Sequence, residues 1–242
     1  MEINKYLKLE HVSKSFGELN VLNNFSVEFV PGRLNCILGP SGCGKTTLLN
    51  LIAGITAPDQ MGTNNFENRK ISYIFQDDRL LPWKTVKDNI RFVLHMHFNG
   101  EEMENAIARY IKLIELENFK DYYPLQLSGG MKRRVSIARA FSYPSEVVLL
   151  DEPFKGIDIS LKQSLMLSLR MLWENEHRTL IYVTHDIDEA VLMGHRIYVL
   201  SSRPARVIGH FDQFENSGPG RALSPSENEL KEKIRRLLIP DS

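Results

Sequence analysis

Residues Gly39-Pro40-Ser41-Gly42-Cys43-Gly44-Lys45-Thr46-Thr47 spell GxxxxGK[ST]. They lie between a short apolar run, Leu34 to Leu38, and a stretch of helical spacing from Thr46 to Ala53. No other feature constrains the chain as much. The motif is informative only between a strand and a helix, and here it has that context. Its glycines let the backbone fold around a phosphate with the N–H groups turned inward. The helix that follows adds the positive end of its dipole. Lys45 is expected to place its charge on the β- and γ-phosphates, and Thr46 to offer its hydroxyl to Mg2+. By itself the loop implies a nucleoside triphosphate without separating ATPases, GTPases and small-molecule kinases. A guanine-reading Asn-Lys-x-Asp is missing, since the one Asn-Lys pair, Asn4-Lys5, continues as Tyr6-Leu7 and precedes the loop.

The rest of the pattern is α/β. Leu7 to Val12 alternates apolar and polar, and Leu22 to Phe29 reads as a second such segment, so an antiparallel β patch is expected early in the chain. Ile71 to Phe75, Val147 to Leu150, Thr179 to Val183, Ile197 to Leu200 and Arg206 to Phe211 read as further strands. Helices are expected over Leu161–Trp173, Ile187–Met193 and Glu229–Leu238. Residues 84–140 lack strands and form the candidate helical lobe. Residues 56–70 read as a polar loop, and 215–228, rich in Ser, Pro, Gly and Asn, as a mobile linker. Alternating strands and helices with buried strands predict a largely parallel sheet.

Composition narrows the partners. Thirty basic residues balance thirty acidic ones in a chain of 242, which argues against a broad nucleic-acid surface. Two cysteines exclude a disulfide scaffold and fit a reducing compartment. No apolar run reaches the ~20 residues of a membrane-spanning helix, and Met1 to Tyr6 has no apolar signal region. The chain is expected to remain in the cytoplasm. His95-Met96-His97 is set aside as a metal site, because i and i+2 on a helix point apart. Cys43, beside Lys45 and a helix N-terminus, is read either as a reactive thiol of lowered pKa or as a small residue filling the loop.

Beyond the loop come Leu127-Ser128-Gly129-Gly130-Met131-Lys132-Arg133-Arg134-Val135, then Val147-Val148-Leu149-Leu150-Asp151-Glu152-Pro153, then Thr184-His185-Asp186. This order resembles the ATP-binding cassette (ABC) ATPases, and the resemblance runs from about Leu7 to about Phe211. It implies a P-loop NTPase core with a mostly parallel sheet, an antiparallel β subdomain and an inserted helical lobe. It also implies one domain over 1–242. The core with its β subdomain spans about 7–80 and 141–211, the helical lobe about 81–140, and a linker and C-terminal helix 212–242.

The implied roles follow the matching positions. Asp151 holds Mg2+, and Glu152 is the general base for the attacking water. Gln76 is the lid glutamine that senses Mg2+. His185 contacts the γ-phosphate. Phe16 stacks on adenine, where Tyr is more usual, and Asp158 is the acidic residue of Phe154-Lys155-Gly156-Ile157-Asp158. Ser128, Gly129 and Gly130 close over ATP held by a second subunit, so a homodimer with two ATP molecules between its subunits is implied. Met131 departs from the commoner Gln at that position.

The segment Leu80-Leu81-Pro82-Trp83 suits a docking groove. In transporter cassettes this region meets the coupling helix of a membrane permease. Its wording, with Leu200-Ser201-Ser202-Arg203-Pro204, resembles cassettes of bacterial importers for nitrate, sulfonates and taurine, which work with a separate solute-binding protein. The resemblance therefore places the chain at the cytoplasmic face of the membrane. The alternative is a soluble ABC ATPase not coupled to transport. The stretch between Lys45 and Gln76 is shorter than in the usual cassette, which puts the local hairpin there in doubt.

Overall fold

The computed structural model describes residues 6–213 and 218–238. The first five residues and part of the segment read as a linker, 215–217, lie outside the described residues. Strands β1 (Leu7–Phe16) and β2 (Leu19–Phe29) form an antiparallel pair. Gly17, at φ +60°, permits the two-residue turn between them. Strand β3 (Leu34–Leu38) leads into helix α1 (Lys45–Ile52), and β4 (Ile71–Ile74) follows. Between β4 and β5 (Val147–Asp151) the described chain holds α2 (Val86–Leu94), α3 (Gly100–Leu113), α4 (Gly129–Ser142) and two single-turn helices. Helix α5 (Ile159–Glu176), β6 (Thr179–Thr184), α6 (Ile187–Met193), β7 (Arg196–Leu200), β8 (Val207–Asp212) and α7 (Pro225–Leu238) complete it.

Six strands form one sheet in the order β4-β5-β6-β3-β7-β8, parallel except for the last pair. Every residue of β3, β5 and β6 is buried, as strands covered on both faces require. Side chains alternate between two apolar layers. Leu34, Cys36, Leu38, Val148, Leu150, Leu180 and Tyr182 face helices α2 to α7. Ile37, Val147, Leu149, Ile181 and Val183 face α1 and the β1–β2 hairpin. The molecule thus has three layers, and the loop after β3 emerges at the centre of the sheet.

Two expectations are corrected. Residues 56–70 are more than a polar loop, for they run along the free edge of β1. Ser13 N donates to Gln60 O at 2.9 Å, Glu10 N to Thr63 O at 2.9 Å, and Gly62 N to Glu10 O at 3.0 Å. Gly62 allows that approach, because a Cβ there would sit 3.1 Å from Glu10 O. The last helix begins at Pro225 rather than Glu229. Ser224 N donates to Glu227 Oε2 at 2.7 Å, and Glu227 N donates to Ser224 Oγ at 3.3 Å. That is a capping box with proline at the first helical position. Ile234 is buried, Leu230 and Leu237 are partly buried in the helical-face core, and Lys231 pairs with Asp188 on α6.

Candidate functional site: a phosphate loop at the carboxyl ends of three strands

Register brings the site together. Leu38 pairs with Thr184, and Asp151 with Val183, so β3, β5 and β6 end side by side. Gly39 N donates to Thr184 O at 3.3 Å. Gly39–Thr47, Asp151-Glu152 and His185 therefore meet at the carboxyl ends of these central strands, where open α/β sheets bind their ligands. Gly44 has φ +124°, and a Cβ on it would lie 2.7 Å from Val21 Cγ1. Only glycine fits, because the loop passes directly beneath the β2 strand. Lys45 is 4% exposed. Its Nζ donates to Gly39 O at 2.8 Å and to Pro40 O at 2.9 Å, so the loop carbonyls pin the ammonium.

Thr46 Oγ1 donates to Asp151 Oδ1 at 3.0 Å. A hydroxyl and a carboxylate on adjacent elements are hard oxygen donors of the kind Mg2+ takes, with water and phosphate completing its shell. Among the described residues no group of three or more His, Cys, Asp and Glu forms a fuller metal cage. Thr46 and Asp151 thus fit a cation held mostly by its substrate. Gln76 is exposed and lines the same cleft as Thr46 and Asp151, together with Tyr73, Phe75 and Arg79.

The two neighbouring carboxyls are driven in opposite directions. Burial pushes the Asp151 carboxyl up, and the Glu152 charge adds to the rise against the Thr46 hydrogen bond and Lys45. Burial also pushes Glu152 up. Lys155 Nζ, 2.7 Å from Oε2, and His185 Nδ1, 3.4 Å from Oε1, overcome that and hold Glu152 below the usual range. Glu152 itself sits at φ +42°, its N–H donating to Val183 O at 3.1 Å. A non-glycine residue there is sparsely populated, which is a feature found at functional positions.

On the outer side, Phe16, Leu19 and Val21 from the β1–β2 hairpin wall the loop's cleft, with Glu152 and Arg203 on its other flanks. Phe16 is 50% exposed, with Lys14 Nζ 5.3 Å from its ring centroid. Ser128, Gly129, Gly130 and Asp158 are not among the residues lining that cleft. Ser128 caps α4, its Oγ accepting from Met131 N at 3.3 Å. Gly129 is exposed, with nothing within 4 Å of a Cβ built on it. Gly130 differs, because a Cβ would lie 2.5 Å from Leu161 Cδ1, so this glycine serves the packing of α4 on α5. Met131 is partly buried in the helical-face core, which accounts for an apolar residue there. Asp158 caps α5, accepting from Leu161 N at 3.0 Å and Ser160 Oγ at 2.8 Å.

The reactive-thiol reading of Cys43 is overturned. The side chain is 2% exposed, and burial pushes the thiol up more than Lys45 and the backbone bonds lower it. Cys36 is buried too and its thiol is likewise raised. Native protein is therefore expected to react with iodoacetamide at neutral pH far more slowly than a free thiol, with full labelling only in denaturant. Rapid native alkylation of Cys43 in a mass-spectrometric time course would contradict this.

Sequence reasoning missed three cations. Lys155 holds Glu152, Arg203 flanks the loop, and Arg133 is buried on α4, the helix that opens with the Leu127–Met131 signature. The partners of Arg133 lie in segments 20 and more residues away, beyond any spacing rule, whereas Lys155, three residues from Glu152, is within reach of one. In the segment Leu80 to Trp83, Leu80 packs partly buried on the core while Trp83 is 69% exposed. Asn89, fully buried, clamps the segment: its Oδ1 accepts from Leu81 N at 2.9 Å, and its Nδ2 donates to the carbonyls of Leu81, Lys84 and Thr85. No helix among the described residues is long and apolar enough to cross a membrane.

Comparison with known proteins agrees with this geometry. A family model described as "ABC transporter" matches residues 22–155. The aliphatic sulfonates import ATP-binding protein SsuB of Bacillus cereus is 35% identical over 96% of this chain and 92% of its own. The nitrate import ATP-binding protein NrtD of Synechocystis sp. is 37% identical over 79% of this chain and 74% of its own. Among solved structures, the dimeric post-hydrolysis state of the cassette MJ0796 bound to ADP and Pi superposes with a TM-score of 0.72. It is 30% identical, covering 85% of this chain and 98% of that one.

Proposed function

The chain belongs to the ABC transporter family of ATP-binding cassettes, and on that premise we propose that it is the ATP-hydrolysing subunit of an importer for nitrate, a sulfonate, taurine or a related small solute. The observation that carries the reading is Glu152, kept ionised between Lys155 and His185 beside the Thr46–Asp151 pair.

The reaction is ATP + H2O to ADP + phosphate, and the protein's task is positioning and charge balance. Lys45 supplies the point charge for the β- and γ-phosphates, and the N–H groups of Gly42 to Thr47 wrap them. Phe16 stacks on adenine. Thr46 and Asp151 would hold Mg2+, with Gln76 reaching it from the neighbouring cleft. The ion would neutralise charge on the transferring phosphoryl group. The Glu152 carboxylate takes a proton from the attacking water as its oxygen bonds to phosphorus and the bond to ADP breaks. His185 meets the γ-phosphate. Ser128, Gly129 and Gly130 of a second copy complete the cage, with Asp158 near the joint, since these residues line no part of the cleft within one chain.

The remaining assignments rest on the same premise. Residues 81–140 act as the helical lobe. Leu80, Leu81, Pro82 and Trp83 receive the permease, with a separate solute-binding protein outside, so the chain works at the cytoplasmic face of the membrane without nucleic acid. Trp83 is the exposed aromatic on a clamped segment, the type of residue that dominates interfaces. Trp83→Ala is expected to weaken permease association by about 2 kcal/mol or more, roughly thirtyfold, with ATPase of the free subunit unchanged. Co-purification with the permease at wild-type yield would contradict that contact. The whole proposal is tested by isolating the chain with its permease. Mg2+-dependent phosphate release stimulated by a solute-loaded binding protein is expected. A robust ATPase that never associates with a membrane protein would favour the soluble alternative.

A further inference from the structure

Arg133, five residues after Ser128 on α4, is 4% exposed. Its guanidinium reaches two segments far apart in sequence. Nε donates to Pro153 O at 2.7 Å, directly after Glu152. Nη1 donates to Phe75 O at 2.7 Å, to Gln76 O at 3.3 Å and to Asp78 Oδ1 at 3.3 Å. Arg139, on the same helix, adds a bond from Nη2 to Asp78 O at 3.3 Å. Thus the helix that starts at the signature grips the backbone on both sides of the reacting centre.

Stability alone is a poor reason for this arrangement. A buried guanidinium carries a desolvation cost of several kcal/mol, recovered only when geometry and partners are good. Here most acceptors are neutral carbonyls, and the one carboxylate partner is 27% exposed. The Nη2 amine is buried with no hydrogen-bond partner among the described residues, itself a further cost. A well-packed apolar side chain would fill the same space without these losses. What an apolar side chain cannot do is tie two distant backbone segments to its own helix in one register, and a planar fork of donors can.

We propose that Arg133 is a positioning residue for hydrolysis, holding the Gln76 and Glu152 segments in register with the signature helix. When the signature meets the partner's nucleotide, its movement is passed through this guanidinium to the water-activating carboxylate and the lid glutamine. Arg133 touches no substrate. The inference rests on the roles given above to Gln76 and Glu152.

The test uses the full chain. Arg133→Met keeps the apolar stem and removes the fork. It is expected to fold, to bind ATP with KM within about threefold of wild type, and to lose about 10- to 100-fold in kcat, as a misplaced catalytic group does. Arg133→Lys keeps the charge but offers a single point donor that cannot span Pro153 and Phe75 together. It is expected to recover part of kcat at unchanged KM. Wild-type kcat in folded Arg133→Met would overturn the proposal. So would an unfolded Arg133→Met paired with a fully active Arg133→Lys, since the residue would then be only structural. A loss confined to KM would overturn it as well. Glu152→Gln run in parallel separates the layers: if that variant turns over normally, the site reading fails, whereas an inactive Glu152→Gln beside a fully active Arg133→Met removes this inference alone.

Discussion

Glu152→Gln is expected to bind ATP normally and hydrolyse it about 10²- to 10⁴-fold more slowly, the usual contribution of a positioned general base. The substitution keeps the volume of the side chain and removes only its ability to take a proton. Lys45, with its ammonium on the Gly39 and Pro40 carbonyls, and Thr46, bonded to Asp151, are untouched, so affinity is retained. The nucleotide then persists between subunits, and the variant is expected to accumulate as an ATP-bound dimer visible by light scattering. The lowered pKa of Glu152 sharpens the expectation. Lys155 and His185 favour its ionised form, so the wild-type base is ready throughout the neutral range and its loss is felt there in full. Turnover within a few-fold of wild type would remove Glu152 from the mechanism.

Lys45→Ala should act earlier, on binding. A charged hydrogen bond is worth about 1.5–3 kcal/mol, so a titration with a fluorescent ATP analogue is expected to show affinity weakened by roughly 10- to 100-fold. The same change strips the partner from two loop carbonyls, which loosens the loop that wraps the phosphates and adds to the loss. The fold should survive, because α1 is anchored by Leu48, Leu49, Leu51 and Ile52 in the hairpin-side core. Unchanged affinity in a folded variant would contradict the assignment of the loop.

The legible part of the chain was the part written in local pattern. Gly39 to Thr47 announces its conformation because glycines and a helix start act over a few residues, and continuous apolar runs such as Val147–Leu150 announce burial on both faces. The Ser224-Pro225-Ser226-Glu227 cap was equally local and was passed over, because a cluster of Ser and Pro reads first as linker. Other features were not legible. Residues 56–70 pair with β1, a tertiary contact that leaves no periodicity in polar sequence. Cys43 lies beside a lysine and a helix start, which lower a thiol, yet its burial outweighs both, and burial depends on chain from elsewhere. Gly130 also packs against Leu161, about thirty residues on, a constraint its place beside Ser128 does not announce. The partners of Arg133 are likewise set by topology.

The central claim is that each catalytic site is assembled from the phosphate loop of one copy and the signature of another. Gly129 gives a clean way to test it, because it is exposed with open space around a Cβ. Gly129→Asp should leave the fold intact while placing a carboxylate against the incoming triphosphate. Two proteins are prepared on a Glu152→Gln background, one carrying Lys45→Ala and the other Gly129→Asp, and each is weighed by light scattering with Mg-ATP, alone and mixed. Neither protein should pair alone, since each lacks one half of every site. The mixture should form a nucleotide-dependent dimer, because the intact loop of one meets the intact signature of the other. A mixture that stays monomeric while the parent Glu152→Gln protein pairs would contradict the account.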